Sequence, residues 1–257
     1  MNNKVEEFRS LHIPGDPLVL FNIWDAGSAK AVADAGAKAI ATGSYGVAEA
    51  QGFKDGEAFG LSDALVNLER VLSVTDLPVS IDMEAGYGAS AEEVGRSVAK
   101  AFESGALGIN LEDRMPGLNE LTAVAVQAHR VQAAAATGIF VNARCDVFRG
   151  HPAESHGPEL TIQAIERAAA YADAGASALF VPFTTNRSCI AAICERSPIP
   201  VNIIWTPSSD GGFVDRKELA DLGVARISHG HRPWAAAMQW LNEAAKATLA
   251  GKSPPYD

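Results

Sequence analysis

Positive charge and cysteine are both scarce in this chain. Its 257 residues include 21 Lys and Arg against 31 Asp and Glu, a formal net charge of -10, with the acids spread along the sequence. Without clustered Lys and Arg there is no nucleic-acid footprint. The acidity reads as solubility, and it leaves room for an anionic substrate, because a metal ion and one buried Arg reverse the local field. The three cysteines, Cys145, Cys189 and Cys194, form neither a Cys-x-x-Cys pair nor an even framework, which predicts a reducing compartment. Residues 1–7 contain no apolar stretch of the kind a signal peptide needs, and no apolar run reaches bilayer-spanning length. These absences predict a cytoplasmic protein with neither a membrane nor a nucleic-acid partner. At 47% hydrophobic and 20% charged residues, the composition is still that of a chain with a large buried core.

What is present is a repeating grammar. Short β-branched runs alternate with Ala-rich stretches, giving predicted strands at 18–25, 39–42, 78–82, 107–112, 139–144, 178–181, 201–205 and 224–228. Helices are predicted between and after them at 28–36, 61–75, 90–105, 121–138, 160–175, 189–196, 216–223 and 233–249. Leu61, Leu65, Leu68 and Leu72 fall on one helical face, Ser28 is the expected cap of the first helix, and Ser90 with Glu93 makes a capping-box pattern. Ala35-Gly36-Ala37, Ser104-Gly105-Ala106 and Ala174-Gly175-Ala176 each stop a helix just before a strand. Such alternation implies a parallel sheet. Eight strands in a chain of this length predict one (β/α)₈ barrel over residues 1–257. The competing open sheet lacks its Gly-x-Gly-x-x-Gly, since the first strand runs into Trp24-Asp25-Ala26-Gly27-Ser28.

In such a barrel the reactive face lies at the C-terminal strand ends. No Lys sits there, Lys38 being at the start of the second strand, which disfavours Schiff-base chemistry. Instead the ends carry Asp25, Asp82, Glu84, Glu112, Asp113, Arg144 and Asp146, then His229 and His231 after the last strand. Asp82 and Glu84, two apart on an extended segment, point the same way, and Glu112 occupies the neighbouring end. Close carboxylates repel, so the cluster calls for a cation, and hard oxygen donors suit Mg²⁺ or Mn²⁺. Asp113 reads instead as a cap on the following helix. The planar fork of Arg144 suits a substrate carboxylate, with a structural ion pair as the other reading and Asp146 orienting it. Asn202 reads equally as a core amide or a ligand contact. Cys189 and Cys194 read as helix packing, and Cys145 is out of phase with the mouth.

Ser80-Ile81-Asp82-Met83-Glu84-Ala85-Gly86-Tyr87-Gly88 resembles the Asp-x-Asp/Glu-x-Gly-Tyr-Gly signature of the isocitrate lyase / phosphoenolpyruvate mutase superfamily. Asn110-Leu111-Glu112-Asp113 and Asn142-Ala143-Arg144-Cys145-Asp146 resemble two further motifs of that superfamily, and Thr42 to Gly46 with Gln51 to Asp55 resembles its substrate loop and distal acid. Each motif is weak alone; the four in order are specific. The resemblance implies Mg²⁺ bound directly by Asp82, with Asp55, Glu84 and Glu112 acting largely through water. It implies a substrate gripped by Arg144 and by backbone amides near Gly43, Ser44 and Tyr45. It also implies bond cleavage or formation through an enolate-like form of pyruvate, and a homo-oligomer, a tetramer or dimer, whose terminal helix packs on or swaps with a neighbouring subunit. Trp234, Met238 and Trp240 suit such a helix.

One departure matters. Isocitrate and methylisocitrate lyases carry a loop Cys that supplies the final proton, and this chain reads Arg114-Met115-Pro116-Gly117-Leu118-Asn119-Glu120 there. An acid found after the sixth strand in several lyases is Pro182. The departure leaves the proton donor unidentified, and the resemblance makes His229 or His231 a candidate, because some relatives carry a His near the end of the eighth strand. The sequence therefore predicts a Mg²⁺-dependent lyase or decarboxylase of a small 2-oxo carboxylate. The alternatives are phosphonopyruvate hydrolysis or mutase chemistry, or a barrel that binds a 2-oxo acid without turnover.

Overall fold

A computed structural model describes residues 2–205 and 215–253. The expected barrel is there. Nine parallel strand segments run β1 (Leu18–Leu20), β2 (Asn22–Ile23), β3 (Ile40–Thr42), β4 (Val79–Asp82), β5 (Gly108–Glu112), β6 (Phe140–Arg144), β7 (Ala178–Val181), β8 (Val201–Ile204) and β9 (Arg226–Ser228). The first predicted strand is split at Phe21. Its first half pairs with β9 and its second with β3, so one segment closes the ring through eight strand positions.

The outer helices are α2 (Ala26–Asp34), α4 (Leu61–Leu72), α5 (Ala91–Glu103), α6 (Val124–Ala135), α7 (Pro158–Asp173), α8 (Arg187–Arg196), α9 (Arg216–Asp221) and α10 (Arg232–Leu249). Two short helices were not expected: α1 (Asn2–Ser10) and α3 (Ser44–Ala50). Helix α1 plugs the N-terminal end of the barrel, burying Val5 and Phe8 against Leu18, Leu20, Leu107 and Phe140. A Cβ at Gly108 would meet the Phe8 ring at 2.7 Å, so the plug requires glycine in β5.

Local chemistry explains most element ends. Ser90 and Glu93 form the expected capping box. At α2 the cap is Asp25 and not the expected Ser28, which is its partner at the third helical position of a capping box. Gly36, Gly105 and Gly175 adopt the left-handed backbone that stops a helix. The apolar core lies between strands and helices and includes Cys145 and Cys189; Cys194 packs against it. No described helix is long and apolar enough to cross a membrane.

The barrel interior is polar for part of its depth. Asn142 donates to the side-chain oxygens of Asn110 at 2.8 Å and Asn202 at 3.0 Å, and Asn202 donates to the Arg226 carbonyl at 3.0 Å. Asp113 does not cap a helix. It is fully buried, accepting from Arg167 at 3.0 Å, from the Tyr171 hydroxyl at 2.9 Å and from the Asp146 backbone at 2.9 Å. This bond ties α7 to the turns after β5 and β6. Removing one member of a buried pair strands the other charge, so Asp113→Ala is expected to cost about 3–5 kcal/mol. A chemical denaturation midpoint within error of wild type would contradict it.

Candidate active site

The C-terminal strand ends enclose a cavity of ≈ 350 Å³, and the segments at and after β3 through β6 supply its acidic groups and its arginines. Gly43, the N-cap of α3, lines it with Ser44 and Tyr45. A side chain at Gly43 would approach the Gly230 carbonyl at 3.3 Å and Asn22 at 3.5 Å. The Ser44 backbone N–H donates to Asp82 Oδ2 at 3.3 Å, and the Asp82 N–H donates to the Thr42 hydroxyl at 2.9 Å. Asp82 thus ends β4 with its carboxylate fixed against the turn after β3.

Glu84 reaches the same cavity by a different route from the extended one the sequence suggested. Its backbone is left-handed, φ 49°. Its carboxylate accepts from the backbone of Gly56 and Glu57, both at 2.7 Å, while Glu57 accepts from the Tyr87 N–H at 2.8 Å. These reciprocal bonds fasten the segment carrying Asp55 onto the turn after β4. Glu57 and Tyr87 are also left-handed, at φ 61° and 52°, so strain is concentrated at this turn, as it often is where a site is held in a set shape.

Arg144, at the end of β6, gives Nε and Nη2 to the two oxygens of Asp146 at 2.6 and 2.9 Å, and Nη1 to Glu112 at 2.6 Å. Asp146 does orient it, from a fully buried position. Burial opposes the charge on Arg144, but Glu112, Asp146 and Asp82 outweigh it and its pKa is raised. Burial also raises the carboxylates. Asp82 is raised by burial and by Asp55 against the pull of Arg144. Glu84 is pushed up to about 8 by burial, Asp82 and Asp55, and Glu112 to about 7 by burial, with Arg144 opposing and Asp146 and Asp82 adding to the rise. Burial leads each of these carboxylate shifts, and neighbouring carboxylates add to it. A hard cation is what this donor set fits. Among the described residues no three His, Cys, Asp or Glu side chains are close enough to hold a metal by themselves.

His231 lines the cavity as an exposed side chain, 5.4 Å from the Tyr45 ring between centroids. His229 does not line it; that ring stacks with Trp205 and faces the Leu20 carbonyl. Asn202 is corrected to the core-amide reading. It lies in the polar layer of the barrel interior, accepts from Ser228 and Asn142, and is absent from the cavity wall. No cysteine lines the cavity.

Two residues with positioning roles escaped the sequence reading. Asn22 lines the cavity and accepts from the backbone of His229 and Gly230, both at 2.8 Å, while donating to the Thr42 carbonyl at 2.9 Å. A polar residue within a strand was its only signal. Arg130, buried on α6, donates to the carbonyls of Ala85, Gly88 and Ala89 and so shapes the turn after Glu84. Its signal was an Arg on a helix's inward face.

Comparisons with known proteins fit this geometry. A candidate phosphonomutase from Burkholderia cenocepacia J2315 superposes with a TM-score of 0.91 at 45% identity, covering 96% of this chain and 99% of that one. Oxaloacetate decarboxylase of Rhodopseudomonas palustris (strain BisB18) is 30% identical, covering 76% of this chain and 67% of its own length. 2-Methylisocitrate lyase of Escherichia coli (strain K12) is 27% identical, covering 75% and 70%. Phosphonopyruvate hydrolase, solved with oxalate and Mg²⁺, shares the fold with a TM-score of 0.82 at 21% identity, covering 97% of this chain and 88% of that one. The family described as phosphoenolpyruvate phosphomutase matches residues 8–249. With that match and the 45% identity across nearly the whole chain, this protein belongs to the phosphoenolpyruvate phosphomutase family, within the superfamily its strand-end motifs resemble.

Proposed function

We propose that the protein is a Mg²⁺-dependent lyase or decarboxylase of a small 2-oxo carboxylate, with oxaloacetate or a comparable 2-oxo diacid as substrate. The observation that carries this reading is one cavity in which Asp55, Asp82, Glu84 and Glu112 face Arg144. Acids from three separate segments are gathered there with a guanidinium, and no cysteine is among them. Asp82 would hold the metal directly, with Asp55, Glu84 and Glu112 around it acting through water. When bound, Mg²⁺ supplies a preorganised positive charge where negative charge builds on the 2-oxo oxygen. Mn²⁺ suits the same donors.

The chain's own groups do the rest. Arg144, fixed by Asp146, presents Nη1 to the cavity and orients the substrate carboxylate. The turn from Gly43 to Tyr45 sets the other edge of the substrate. Glu112 shares the Arg144 fork and stands beside the reacting centre. His231, which lines the cavity, would return a proton to the carbon left behind. Decarboxylation suits this inventory, because carbon dioxide leaves without needing a proton, whereas isocitrate cleavage requires an acid that Pro116 and Gly117 cannot supply. A second reading, carbon–phosphorus chemistry on phosphonopyruvate, is favoured by the 45% identity to the candidate phosphonomutase.

The assembly reading follows from α10. Its Trp240, Leu241 and Leu249 side chains are exposed, and it meets the barrel at its first turn, where Trp234 packs on Tyr45 and beside Gly46. Meanwhile an apolar groove of ≈ 510 Å³ opens between α2 and the start of α9, lined by Ile13, Leu18, Phe21 and Val32. That is where the last outer helix of a barrel would lie. A second copy's α10 is the proposed occupant, giving a homodimer or tetramer.

Two experiments test these proposals. Product release is assayed with Mg²⁺ and with chelator, as pyruvate from oxaloacetate, phosphonopyruvate and methylisocitrate and as glyoxylate from isocitrate. Metal-dependent release from oxaloacetate should exceed that from either isocitrate by about 10²-fold or more, the usual value of an acid catalyst, and should survive Ser at Cys145, Cys189 and Cys194. Faster release from phosphonopyruvate favours the second reading, and efficient isocitrate cleavage that depends on a cysteine would refute both. For assembly, light scattering should show a dimer or tetramer that Trp240→Glu with Leu241→Glu reduces to monomer. A monomeric wild-type protein would refute the helix exchange.

A further inference from the structure

The polar wall described so far occupies half of the cavity; the other half has a different character. Sheet order places β7 four strand positions from β3 in a ring of eight, directly across the mouth. On that side the wall is Phe180, Pro182 and Phe183, with Met115 and Leu118 from the turn after β5. Arg149, five residues beyond Arg144, stands among these apolar residues at the rim, with Arg114 next to Met115.

Three features single out Arg149. First, it is surplus to the ion pairing beneath it. Asp146 already receives two bonds from Arg144, and Arg149 touches it only through Nη1 at 3.2 Å. Its Nε and Nη2 donate to no described residue. Arg114 also leans on Asp146, at 3.7 Å. Three guanidiniums, Arg114, Arg144 and Arg149, therefore share two carboxylates, Asp146 and Glu112, and this wall keeps a net positive charge. Second, Phe183 lies between two of them, with the carbon of the Arg144 guanidinium and that of Arg149 each 5.6 Å from its ring centroid. Phe183 holds this position with a left-handed backbone, φ 68°, which costs a non-glycine residue energy and is kept where surrounding structure demands it. Third, the opposite wall is acidic through Asp55, Asp82 and Glu84, so the cavity has an electrostatic direction.

We propose that Arg149, positioned by Phe183, is the specificity-determining residue that receives a second anionic group at the far end of the substrate. This rests on the reading of the site as one for 2-oxo acids. A 2-oxo acid core held between Asp82, Ser44 and Arg144 directs its remaining substituent across the mouth toward Arg149. A neutral substituent would offer no anion to Nε and Nη2 of Arg149, which donate to no described residue. A carboxylate there, or a phosphonate, gains a charge-assisted bond to a guanidinium that stands half-exposed at the rim. The selected class is thus a 2-oxo acid with a distal anion, over its monoanionic counterparts.

The test compares Arg149→Met with wild type in Mg²⁺, using three ligands. Oxalate mimics the planar core and has no distal group. 2-Oxobutyrate adds a neutral methyl, and oxaloacetate adds a carboxylate. Affinities are read by calorimetry, or as KM where a ligand is turned over. Wild type should prefer oxaloacetate to 2-oxobutyrate, and the variant should lose about tenfold or more of that preference while its oxalate affinity stays within about twofold, a change too small to report a lost ionic contact. An unchanged preference overturns the proposal. So does an equal loss for oxalate and oxaloacetate, which would show Arg149 acting through Asp146 on Arg144. If wild type binds no oxalate in Mg²⁺, the 2-oxo acid reading itself fails, an outcome distinct from the other two.

Discussion

The site depends on one arrangement, the guanidinium of Arg144 held between Asp146 and Glu112 at the end of β6. A charge this deeply placed survives only with close partners, and here each partner is itself held. Asp146 is anchored through its backbone to Asp113, and Asp113 to Arg167 and Tyr171 on α7. The chain of bonds runs from an outer helix through two strand ends to a fork that lines the cavity. Arg144 therefore has a fixed direction before any ligand arrives, which is the preorganisation that makes electrostatic catalysis effective.

The same wall explains the opposite one. Arg144 opposes the rise in the Asp82 pKa that burial brings, while Asp55 adds to the rise at both Asp82 and Glu84. The strained turn from Glu84 to Tyr87, clamped by Arg130 and by the bonds to Gly56 and Glu57, holds those acids together against their repulsion. A divalent cation is the natural complement to such a wall. The basic and acidic sides together give the cavity an electrostatic direction.

The barrel was legible because its strands are β-branched runs of the right length and its helices carry their own stop signals, as at Gly105 and Gly175. The strand-end rule found Asp82, Glu112 and Arg144, since each is the last residue of its strand. Asn202 misled because it is the second residue of β8, one layer deeper, and depth along a strand cannot be read from residue type. Glu84 was placed in the right cavity for the wrong reason: nothing about a glutamate announces a left-handed backbone. Helices α1 and α3 are too short for periodicity to show. Asn22 acts on His229 and Gly230, more than two hundred positions away, a contact that exists only once the ring has closed.

The claim at the centre of this account is that the acidic wall is a metal site built on Asp82. Calorimetric titration of Mg²⁺ in the presence of oxalate, into wild type and Asp82→Asn, tests it most directly. The account predicts one saturable Mg²⁺ per chain in wild type and binding weakened by about tenfold or more in the variant, with the thermal midpoint of the ligand-free protein unchanged. Equal Mg²⁺ binding by the two proteins, or none by wild type, would contradict it.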